Sequence, residues 1–167
     1  MRRFGLILLA VLAIIFQFSL LPALRPFGVV PDLALVLVVL VGLEGTASAA
    51  LIIAVAGGLV LDLVSGANFG LWTGTLIVAA LTTGLIHRAG IELIGPVVAI
   101  VMVSVGTFVM TMVILLSLAN TVSHWPVAWL LGQFATEIVL NLILTVALRP
   151  LVKALVTGSN PTEFVIG

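Results

Sequence analysis

The 167 residues are 63% hydrophobic and 7% charged, with zero formal net charge and a mean hydropathy of +1.47. Soluble domains carry about a quarter charged residues, so this composition excludes an ordinary soluble fold, and the neutral balance excludes a polybasic nucleic-acid binder. The chain has no cysteine, which excludes disulfides, thiolate metal sites and thiol redox chemistry.

The expected class is an all-α integral membrane protein, one domain over residues 1–167, with room for about six spans of roughly 20 residues each. Met1-Arg2-Arg3 ahead of an apolar run imitates a signal peptide. The run from Phe4 to Leu21 is long for that purpose and lacks a clear Ala-x-Ala site, so it reads as a retained first span over about residues 4–24. Gln17 and Ser19 are its clearly polar members, and Leu9 is assigned to its lipid face. Arg25-Pro26-Phe27-Gly28 marks a turn.

Span two, about 31–43, opens on Pro31-Asp32. Proline suits a first helical turn, and the acid complements the positive end of the helix dipole. The apolar run Leu33 to Leu43 is short for a crossing, which predicts shielding by neighbours or local bilayer thinning. After Glu44-Gly45-Thr46, span three (about 46–62) carries Thr46, Ala50, Ala54, Gly58 and Asp62 at four-residue spacing. Such a stripe of small side chains lets another helix backbone approach closely, and it turns Asp62 toward protein. Gly66 and Gly70 then break the chain.

Span four covers about 71–86, with Gly74, Ala80 and Gly84 as further small contacts. Span five covers about 94–118. Span six, about 127–148, places Gln133, Glu137, Asn141 and Thr145 on one face before Arg149-Pro150 ends it. Six spans put both termini on one side, together with Arg2, Arg3, Arg88, Arg149 and Lys153, against Arg25 alone on the other. By the positive-inside rule both termini are expected in the cytoplasm.

For Asp62 two readings stand. It binds a cation, a partner's arginine or a proton, or it caps the broken backbone of the turn that follows; the second weighs more, because backbone amides in lipid must be satisfied. Gln133, Glu137 and Asn141 read as interhelical hydrogen-bonding groups or a partner contact. Transport would need a second ionisable partner, and Asp62 is the one available candidate.

Asp32 and Glu44 read as cap and loop residues, and Arg88–Glu92 as a weak local ion pair. His87 and His124 lack further ligands at zinc spacing. Ser65 and Ser117 lack a base, and no phosphate-binding loop is present. The expectation is a chain with no catalytic residue, cofactor or metal, and no enzyme activity.

These residues resemble the MreD family of rod-shape-determining membrane proteins. The resemblance rests on Pro31-Asp32-Leu33 and on Gly57-Gly58-Leu59-Val60-Leu61-Asp62 followed by Gly66 and Phe69-Gly70-Leu71. It implies a six-helix fold similar to the substrate-binding subunits of energy-coupling-factor transporters. It also implies a non-catalytic scaffold in the bacterial cytoplasmic membrane, within the cell-elongation complex that builds peptidoglycan. The implied partner is an MreC-like membrane protein, and through it MreB, a RodA-type glycosyltransferase and a class B penicillin-binding protein. Asp32 and the turn from Asp62 to Gly70 match the family's characteristic positions. The candidate structural or partner-contact residues are therefore Asp32, Gly58, Asp62, Gly66, Gly70, Gln133, Glu137 and Asn141.

The alternative is a vitamin-transporter substrate subunit. Such subunits are similar to one another in an Ala-x-x-x-Ala contact in span one, whereas here Ala10 and Ala13 stand three apart. Asn68, Trp72, His124 and Trp125 are the groups available to an outer pocket. A third class, an ion or proton transporter, requires Asp62 and Glu137 to converge.

Overall fold

The computed structural model describes residues 2–19, 29–44, 47–65, 69–90, 95–117 and 127–157. Thr46, Gly66, Asn68, Glu92, His124 and Trp125 lie outside the described residues. The described chain is all-helical: α1 (Arg2–Ser19), α2 (Leu33–Leu43), α3 (Ala47–Ser65), α4 (Leu71–Arg88), α5 (Gly95–Ser117) and α6 (Val127–Thr157). Among the described residues two helices, α3 over Ala47–Val64 and α6 over Leu131–Val156, are long and apolar enough to cross a membrane. Shorter apolar segments occupy Leu8–Gln17, Leu33–Leu43 and Val97–Val109.

An apolar helix without a polar face has to be covered on every side, and α2 is such a helix. Its residues Leu33 through Gly42 are all buried. It packs against each of the other five helices, while α1, α3, α4, α5 and α6 close a ring around it, each touching the next. The shielding expected for this short segment is thus complete. The centre of the fold is α2.

Small residues set how closely the ring can approach. Ala50 and Ala54 are fully buried and Gly58 is buried. A Cβ on Gly58 would run into the Cα of Thr73 and lie 2.9 Å from its amide nitrogen, so the backbones of α3 and α4 are in contact there. A Cβ on Gly42 would strike the Thr83 hydroxyl, and one on Gly84 would lie 2.9 Å from the Ala47 Cβ. These positions knit α2, α3 and α4 into the tightest part of the bundle. Gly74 departs from expectation: it is exposed, and a Cβ there would meet nothing within 4 Å.

Two further expectations are corrected. Leu9 is partly buried against the core instead of facing outward. And α6 does not stop at Leu148 but runs on to Thr157 through Pro150. Proline removes the N–H that would bond the Val146 carbonyl. The helix is held on both sides of that break, because Arg149 pairs with Glu44 at 3.4 Å and Val152 is fully buried.

Candidate functional site

A helix sheathed in apolar side chains still presents orphan N–H groups at its start and orphan carbonyls at its end. In α2 several of these are met by its own N-cap and by side chains from the ring. Asp32 is the N-cap, and its Oδ1 accepts the Leu35 N–H at 3.0 Å. The Asp32 N–H donates to Asn141 Oδ1 of α6 at 2.7 Å, and the Ala34 N–H to Gln17 Oε1 of α1 at 3.1 Å. Gln17 Nε2 reaches Asp32 Oδ1 at 3.4 Å, and Asn141 Nδ2 donates to Thr107 Oγ1 of α5 at 2.9 Å. Gln17, Asp32, Thr107 and Asn141 are all buried. At the other end of α2, His87 Nδ1 of α4 donates to the Leu43 carbonyl at 2.8 Å, and Arg149 holds Glu44.

One turn from Asn141 on α6, Glu137 accepts from the Thr111 hydroxyl of α5 at 3.4 Å. Asp32 Oδ2 has no hydrogen-bond partner among the described residues. The convergence of Asp62 with Glu137 does not occur, since α3 and α6 share no packed interface and α2 stands between them. Gln133 is partly buried, and among the described residues no hydrogen bond ties it to this network.

Asp62 serves a different purpose. Gly70, the N-cap of α4, has φ +96° and no side chain with which to cap the helix. Asp62 reaches across from α3 and supplies the missing acceptor. Its Oδ1 takes the Trp72 N–H at 2.9 Å, and its Oδ2 takes the Thr73 N–H at 3.2 Å and the Thr73 hydroxyl at 2.6 Å. The amides it satisfies belong to the first turn of α4 and are brought within reach by the contact at Gly58.

The sequence reading missed Gln17, Thr107 and His87 as members of these arrangements. A glutamine in an apolar span was a usable signal for Gln17, because polar side chains in such helices bond to neighbouring helices. Nothing local marks Thr107 or His87.

Comparisons with protein-family models, curated proteins and solved structures return no match for this chain.

Asn141 joins three helices, which makes it the most informative member of the network to remove. Asn141→Leu leaves the Asp32 N–H buried without an acceptor, a loss of about 1–3 kcal/mol. The expected result is a lower unfolding midpoint in detergent, read by near-ultraviolet circular dichroism. An unchanged midpoint would show that α2 does not depend on this cap.

Proposed function

We infer that the chain is a multi-pass protein of the bacterial cytoplasmic membrane, its six helices crossing or entering the bilayer and its termini in the cytoplasm. Its role is a non-catalytic scaffold of the cell-elongation complex, binding an MreC-like partner laterally. The observation that carries this reading is how polarity is distributed. The polar side chains of Gln17, Asp32, Asp62 and Asn141 are turned inward and spent on helix ends, and buried Thr107 accepts from Asn141. Large apolar residues such as Ile52, Leu63, Val78, Leu85, Leu131, Ile143 and Val146 face outward around the ring. Such a surface suits lipid and partner helices, and van der Waals packing drives helix association there.

The likeness of Pro31-Asp32-Leu33 and of the Gly58 to Gly70 stretch to the MreD pattern supports the cell-elongation role. In this reading both motifs act by holding helix ends, which gives partner helices a rigid face to dock on. The test is purification of the tagged protein in mild detergent, with mass spectrometry of what accompanies it. Recovery of an MreC-like protein with cell-wall synthases is expected. Recovery of paired ATPases with a transmembrane coupling subunit would replace the scaffold by a transporter substrate subunit.

A further inference from the structure

A groove of about 340 Å³ opens between the start of α5 and the end of α6, at the end of the bundle that holds Glu44 and His87. Ala99, Ile100, Val146 and Pro150 give it an apolar lining, and Arg149 and Lys153 add two basic side chains. The space equals on the order of ten water volumes, enough for a phosphodiester and the first methylenes attached to it. Its shape follows from features already described. Ala99 lines it with no more than a methyl group, and Pro150 withholds the N–H that would cover the Val146 carbonyl.

The basic pair is built for an anion. Arg149 and Lys153 stand one turn apart on the same face of α6. The Glu44 carboxylate engages Arg149 through Nε, which fixes the guanidinium in place while its planar fork carries further N–H donors. Val146 of α6 is exposed and lines the groove together with Ile100 of α5, so an apolar surface adjoins the basic side chains.

We propose that this groove binds the headgroup of an anionic phospholipid. The phosphodiester sits between Arg149 and Lys153, and an acyl chain runs along Ile100 and Val146. Resting on the membrane orientation inferred above, the site lies at the cytoplasmic leaflet, where anionic lipids meet basic side chains near helix ends. A bound lipid there would join α5 to the end of α6 beyond the proline. It would also place a lipid on the face available to a neighbouring helix.

The experiment reconstitutes the full chain in nanodiscs of equal phosphatidylglycerol and phosphatidylethanolamine, releases it, and reads lipid adducts by native mass spectrometry. The expected result is preferential retention of phosphatidylglycerol. Lys153→Gln, which leaves the Arg149–Glu44 pair intact, should lower that preference about fivefold, the weight of one basic side chain near an anionic surface. Val146→Trp, which obstructs the apolar wall without changing charge, should also lower it. Arg88→Gln, at the same end of the bundle and outside the groove lining, should leave it unchanged.

Equal retention of the two lipids by the native chain would overturn the proposal. So would a loss in Arg88→Gln matching that in Lys153→Gln, since diffuse charge would then explain the preference. Competition by soluble glycerol phosphate at equal concentration would overturn it too, because the apolar surface would then contribute nothing. Failure of the membrane reading is seen separately, as native chain released by an alkaline carbonate wash before any lipid is measured.

Discussion

Asp62→Ala is expected to destabilise the protein by about 3 kcal/mol and to free the first turn of α4. The carboxylate receives the Trp72 N–H, the Thr73 N–H and the Thr73 hydroxyl, and it is only 3% exposed. Loss of an N-cap costs about 1 kcal/mol and up to about 2; each buried donor left without an acceptor adds about 1–3 kcal/mol. The hydroxyl of Thr73 can turn to a backbone carbonyl, which keeps the total below the simple sum. Asp62→Asn retains one acceptor oxygen and should lose roughly half as much.

The direct readout is hydrogen exchange at Trp72 and Thr73, followed by mass spectrometry of the peptide that spans them. Protection there should collapse in Asp62→Ala and fall partly in Asp62→Asn. Protection equal to the native chain in both variants would mean that the acid does not hold α4, and the cation or arginine reading of Asp62 would return.

Gly58→Leu is the second large effect, expected to cost at least about 3 kcal/mol. Overpacking a well-filled site costs about 1–3 kcal/mol and sometimes more. Here the first added carbon already meets backbone, the Cα and amide nitrogen of Thr73, which cannot rotate away. The helices must separate, and separation also draws Asp62, one turn further along α3, off the amides it caps. The two losses are therefore coupled.

Three comparisons isolate this cause. Gly70→Leu meets no neighbour but must hold φ +96°, a cost of about 1–2 kcal/mol for a residue with a side chain. Gly74→Ala, exposed and open on all sides, should be neutral or stabilising by up to about 1 kcal/mol. Leu63→Phe, at 72% exposure, should change little. Thermal unfolding with size-exclusion chromatography of each variant gives the order. If Gly58→Leu melted together with Gly74→Ala, close approach of α3 and α4 would not be what limits this fold.

Much of this arrangement was legible in local pattern. Ala50, Ala54, Gly58 and Asp62 recur at helical spacing, and they do share the buried face of α3. The brevity of Leu33 to Leu43 called for shielding by neighbours or local bilayer thinning, and the structure supplies the shielding. The reading went astray where the decisive partner is remote. Asp32 and Asn141 are 109 residues apart, and Glu44 and Arg149 are 105 apart. The one remote pairing anticipated for Glu137, with Asp62, is prevented by α2 standing between their helices. Pro150 looked like a helix end because proline usually is one. It passes inside α6 because Arg149 and Val152 are anchored on both sides of it.

By itself the sequence determined the helical class, the apolar surface, the small-residue face of α3 and the need for polar groups at helix ends. Those properties follow from composition, from periodicity and from the cost of unpaired backbone, which act within a few turns of chain. The tertiary structure alone decided that α2 is the axis and that Asn141, Gln17 and His87 serve its ends. It also decided that Asp62 caps a helix other than its own. Apolar faces are nearly interchangeable partners, so patterning does not select among neighbours. The selection came from shape, where a glycine admits a backbone and a polar side chain reaches the one orphan group that no other residue can satisfy.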